Sequence, residues 1–86
     1  MNINDLIAIV KKKLRTNIVI EQIVIEDKSF LHKNHQSHEE GKFHLKLVIG
    51  SEELKKLNRI ESDKKIYKIL EQELKEHIHS LQILFR

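Results

Sequence analysis

The sequence predicts a single two-layer α+β domain, a three-stranded sheet with helices over one face, in the order α-β-β-α-α-β. Three observations carry this. Apolar residues recur at helical spacing in residues 3–15 and again beyond residue 62, whereas residues 18–25, 43–49 and 81–85 are β-branched or alternating. The chain has 86 residues, 40% hydrophobic and 34% charged, which suits one thin core and argues against disorder. Amphipathic helices and half-buried strands in this order bury their apolar faces against one another in two layers.

In the first helix, Ile3, Leu6, Ile7, Val10 and Leu14 form one stripe. Asn2 is the expected cap, Asp5 favours the positive end of the dipole, and Lys11 to Arg15 load the other end. Thr16-Asn17 breaks the pattern, and residues 18–25 read as the first strand. Residues 27–42 lack apolar periodicity and hold His32, His35 and His38, a loop long enough to call for a functional reason. Phe43, Leu45, Leu47 and Ile49 alternate with His44, Lys46 and Val48, a half-buried strand ending at Gly50. The first two strands are expected to form an antiparallel pair. Ser51 caps a short helix over 52–57, and Ser62 or Asp63 is the expected cap of a long helix. Its stripe is Ile66, Ile69, Leu70, Leu74 and Ile78. His79 closes that helix, and Leu81, Ile83 and Phe85 form the last strand.

Composition excludes several classes of function. There is no cysteine, so disulfides, thiol nucleophiles and thiolate-only iron–sulfur ligation are ruled out for this chain alone. No apolar stretch approaches the roughly 20 residues of a membrane span. Asp5 precedes the first basic residues without a long apolar run, so no secretory leader is read and the cytoplasm is expected. No Ser-His-Asp context, phosphate loop or HExxH helix is present, and the reading is of a protein that is not an enzyme. Glycine occurs only at positions 41 and 50, so the Gly-x-x-Gly clamp of nucleotide-binding KH modules is missing. The net charge of +3 is clustered at Lys11, Lys12, Lys13 and Arg15 and at Lys55, Lys56 and Arg59. Such clusters attract phosphate backbones, though lysine-rich helix faces are more commonly just solvated.

Several strings in the last two-thirds share one resemblance. Arg59-Ile60-Glu61, Ile66-Tyr67, Leu70, Glu73-Leu74 and Ile78-His79-Ser80-Leu81 follow the signature of the BolA family, small stress-associated proteins with a class II KH-like fold. Asp27-Lys28-Ser29 with His32 resembles the opening of that family's loop, and Gly41-Lys42-Phe43-His44-Leu45 its second strand. Ser62-Asp63 stand where the family usually carries Arg-His, which weakens a nucleic-acid reading of that turn. The resemblance covers nearly the whole chain, residues 1–86 as one domain. It implies a monothiol glutaredoxin partner and a glutathione-dependent [2Fe-2S] cluster shared with it, none being expected in the isolated chain. It also implies that His79 and a loop histidine, His32 first and His35 second, supply this chain's ligands.

The chemistry is consistent with that implication. A [2Fe-2S] centre accepts two imidazoles on one iron, so a chain without cysteine can supply half of a ligand set. Neutral imidazole also suits zinc, but structural zinc sites are dominated by cysteine, and His32, His35 and His38 are not read as one. His44 is expected on the sheet face away from the core in a structural role, and His77 is expected to face water. The alternative function that the resemblance implies is a nucleic-acid-binding transcriptional regulator of stress response or morphology, with Lys55, Lys56, Arg59, Lys64 and Lys65 on phosphates. No membrane partner is expected, and alone the chain should be a monomer or weak homodimer.

Overall fold

Helix α1 (Ile3–Asn17) begins where the Asn2 side chain accepts the Asp5 amide at 2.9 Å, the cap read from the sequence. Leu6, Val10 and Leu14 are its fully buried line, one residue per turn. The computed structural model describes residues 1–29 and 42–86. Strand β1 (Gln22–Asp27) lies antiparallel to β2 (Phe43–Gly50), with Gln22 opposite Gly50 and Asp27 opposite Leu45. Helices α2 (Glu52–Lys55), α3 (Arg59–Ile69) and α4 (Glu71–Glu76) then cross over to β3 (Ile78–Phe85), which runs parallel to β2. The sheet order β1-β2-β3 places β2 at the centre.

The core lies between the helices and one sheet face. Leu45, Leu47 and Ile49 of β2 meet Leu6, Val10 and Leu14 of α1, Leu54 of α2, Ile66 of α3 and the linking Leu70 in a single cluster. Each such aliphatic side chain contributes about 1.5–3 kcal/mol on leaving water, and the core is nearly all Ile, Leu and Val. The opposite sheet face carries His44, Lys46 and Val48 from β2, and none of the helices among the described residues packs on it. Arg59 and Tyr67 of α3 donate to the carbonyls of Ile83 (2.7 Å) and Leu81 (3.3 Å), which blunts β3 as an edge strand. Among the described residues no helix is long and apolar enough to cross a membrane.

Several element boundaries differ from the sequence reading, and the short helix ends at Lys55 rather than near Leu57. The first strand starts at Gln22 rather than residue 18, because its partner ends at Gly50. Ile18 instead ends α1, and Val19 finds polar partners on the next turn of chain: its N–H donates to the Glu53 carboxylate and its carbonyl accepts the Ser51 hydroxyl. The long helix begins at Arg59, capped by Asn58 in a reciprocal capping box with Glu61, not at Ser62 or Asp63. Ser62 is buried and donates to the Leu54 carbonyl, tying α3 to α2, while Asp63 pairs with Arg59. That helix is also divided at Leu70, where ψ moves to 15°, and α4 turns Glu73 inward to meet Lys13 at 2.6 Å. Finally, β3 starts at Ile78, so His79 belongs to a strand rather than to the end of a helix.

Candidate metal-ligand site on the outer sheet face

Ile78 is buried and Leu81 packs against the core, yet they are three residues apart. A strand with period two cannot point both inward, so one extra residue must be absorbed. The ladder shows where: Phe43 is paired with Ile78 but His44 with Ser80, and His79 is the residue left over. This bulge sends His79 and Ser80 together to the exposed side of β3. A bulge therefore presents the histidine to solvent while the apolar phase of β3 stays in register with the core.

His44 lies directly across from the bulge. Its ring stacks on that of His79 with centroids 4.9 Å apart and planes 24° from parallel, and its Nδ1 is 2.6 Å from Ser80 Oγ. One of these two polar groups donates, according to the imidazole tautomer. His44 is only 6% exposed, whereas His79 is exposed, so the outer ring of the stack is the accessible one. The His44 backbone is held as well: its N–H donates to Ser29 Oγ at 3.0 Å and its carbonyl accepts the Lys28 amide at 2.7 Å. Residues 28–29, which lead into the 30–41 segment, are thus fastened beside the imidazole pair. Ser29 is itself set by its backbone N–H, which donates to the Asp27 carboxylate at 2.9 Å.

Among the described residues this face offers one exposed nitrogen donor, His79. Among the described residues no group of three or more histidines, cysteines or carboxylates is arranged to hold a metal ion, and the chain has no cysteine. Face-to-face rings direct their in-plane lone pairs alongside one another rather than toward one point, so His44 and His79 in this arrangement do not chelate one ion together. An exposed imidazole on a bulge instead suits a site whose remaining ligands come from elsewhere. His32, His35 and His38 lie outside the described residues. His77 is half-buried rather than facing water, with Nε2 3.7 Å from Glu76, and its carbonyl accepts the Phe43 amide.

The cations expected on phosphates occupy α2, its end and α3, and most already have partners. Lys55 pairs with Glu52 at 3.2 Å and Lys65 with Glu53 at 3.1 Å. Arg59 binds both Asp63 oxygens and lies 4.8 Å from the Phe85 ring centroid. Lys56 and Lys64 make no ion pair among the described residues. The Glu53 carboxyl is held below its ordinary range, first by the Val19 amide and then by Lys65. Sequence reasoning missed the contact of His44 with His79 and the bulge behind it, although the odd spacing of Ile78 and Leu81 is a signal that could have found the bulge.

Known proteins match this chain over most of its length. The family described as BolA-like protein matches residues 14–86. A curated relative, the DNA-binding transcriptional regulator BolA of Haemophilus influenzae, is 29% identical over 75 residues, 87% of this chain and 70% of the relative. Among solved structures, BolA1 from Arabidopsis thaliana has a TM-score of 0.76 at 24% identity, covering 91% of this chain and 86% of that one. The BolA domain of SufE1 from Arabidopsis thaliana has a TM-score of 0.79 at 23% identity, covering 100% of this chain and 93% of that one. These two share the fold, helix-covered on one face of a three-stranded sheet. The family match takes in the capping box, the Ile66-Tyr67 pair and the His79 bulge, and with them the chain belongs to the BolA-like protein family.

Proposed function

We propose that this chain is a non-enzymatic adaptor that pairs with a monothiol glutaredoxin and shares with it a glutathione-dependent [2Fe-2S] cluster, serving iron–sulfur assembly or iron signalling. The observation that carries the reading is His79, an exposed imidazole set on a bulge and stacked on a buried ring. In this reading His79 is one ligand and His32 its companion, with His35 as the alternative, and the partner and glutathione bring the thiolates. The fastening of Ser29 to the His44 amide supports it, since His32 follows Ser29 by three residues, a chain reach of at most about 11 Å. Imidazole ligation raises the potential of such a centre above that of an all-thiolate one. This chain's own part is to present a nitrogen donor in a fixed place on the sheet face away from the helices.

The test is to purify the complex with a monothiol glutaredoxin and compare visible absorption and circular dichroism for wild type, His79→Ala and His32→Ala. Altered spectra and faster cluster loss are expected for His79→Ala. Unchanged spectra in both variants would overturn the ligand assignment. A second reading, binding of nucleic acid by α2 and α3, draws support from the name of the Haemophilus influenzae relative. It predicts affinity falling with salt at a log–log slope of about −0.9 per phosphate contact. Undetectable DNA binding at low salt would remove it.

A further inference from the structure

We infer that His44 is a positioning residue for His79: it is the inner ring of the stack and holds the outer ring in the orientation from which it offers a nitrogen to a metal. The inference rests on the ligand reading of His79 and adds to it a residue that touches no metal. Three features of the structure carry it. His44 is 6% exposed and fixed at both ends, its backbone by Ser29 and Lys28 and its ring by Ser80. The two rings are stacked at 4.9 Å with an angle of 24°, a geometry that constrains the plane of His79 without competing for its lone pair. The bulge supplies both contacts at once, because absorbing His79 brings Ser80 opposite His44, within 2.6 Å of its Nδ1.

The physical need for such a residue is plain. His79 is exposed on an edge strand, and an unheld imidazole there samples several rotamers. Each would have to be frozen when a metal binds. A ring already held against a buried partner loses less freedom and keeps its donor aimed. Outer partners that hydrogen-bond a ligating histidine change metal affinity by roughly 10–100-fold when removed, and a ring that fixes the ligand's plane by stacking belongs at the low end of that range. The two surroundings of the histidines divide the work: the buried ring gives rigidity, the exposed ring gives access.

The experiment uses the full chain in four forms, wild type, H44L, H44F and S80A, with H79A as the reference. The first readout is the His79 imidazole resonances of the free protein by proton–nitrogen NMR, with the amide spectrum reporting the fold. The second is the visible circular dichroism and the lifetime of the complex with a monothiol glutaredoxin and glutathione in the presence of a chelator. H44L should remove the ring-current shift of His79 and shorten the cluster lifetime about tenfold. H44F, which keeps an aromatic face, should retain much of both, and S80A should fall between wild type and H44L. Folded H44L and S80A with wild-type His79 resonances and wild-type lifetime would overturn the positioning role while leaving the ligand reading intact. If H79A leaves the spectrum unchanged while H44L shifts the His79 resonances, the ligand reading fails and the positioning of the ring stands.

Discussion

Replacing Lys13 by methionine should destabilise the fold by about 2 kcal/mol, between the limits for exposed and buried ion pairs. Glu73 is nearly inaccessible, with a side chain 7% exposed, and Lys13 is its ion-pair partner at 2.6 Å. Its second oxygen, Oε1, is buried without a hydrogen-bond partner among the described residues. Removing the partner of a fully buried charge costs about 3–5 kcal/mol, whereas an exposed pair is worth roughly 0–1 kcal/mol. Lys13 is 37% exposed, so water screens the pair and the lower half of the buried range is the upper bound. The pair links α1 to α4 across 60 residues of sequence, so its loss loosens a helix–helix contact rather than a local turn. Glu73→Leu should cost less than Lys13→Met, because it removes the buried charge and strands only a half-exposed lysine. The double variant should be more stable than Lys13→Met, since an apolar contact of similar volume replaces a pair that leaves one oxygen unsatisfied. Urea denaturation of all four proteins reads this directly. With a slope of about 1 kcal/mol per molar for so small a chain, Lys13→Met should lower the midpoint by about 2 M. A shift below about 0.5 M, or a double variant less stable than Lys13→Met, would refute the reasoning.

Glu53 sets an acid-side dependence: its folded carboxyl lies below the ordinary range because the Val19 amide and Lys65 favour the charged form. The resulting stability is present above the unfolded glutamate value and is lost as pH falls through the folded one. Thermal melts across that window should therefore show a shallower acid dependence for Glu53→Gln than for wild type, and parallel profiles would sink the assignment. Asn58→Ala removes the capping box of α3 and should cost about 1 kcal/mol in chemical denaturation, with the amides of β1 unchanged by NMR. Deleting His79 should leave a folded protein within about 1 kcal/mol of wild type, because Ile78 and Leu81 then fall into ordinary alternation. An unfolded deletion variant would show that the bulge serves the core and not the exposed face.

Much of the candidate site was legible from local chemistry. His79 stands out as an imidazole between a helical stripe and a strand in a chain with no cysteine, and the alternation in β2 already sets His44 on the outer face. Their contact was not legible, since it depends on which residue of β3 stands opposite His44, and a single bulge changes that pairing. The same limit explains the first strand. Residues 18–25 have strand chemistry throughout, yet only those opposite β2 are strand, and Val19 is bonded to Ser51 and Glu53 instead.

The sequence by itself determined what depends on near neighbours along the chain: the Asn2 cap, the α1 stripe, the alternation of β2, the Ser51 cap and the α+β order. Periodicity and capping act within a turn or two, and their energies are set by residues a few positions apart. The tertiary structure alone decided the strand register, the bulge at His79, the burial of Glu73 against Lys13 and the pairing of the two imidazoles. Each of these is a contact between segments that are remote in sequence, and only closure of the common core brings them together.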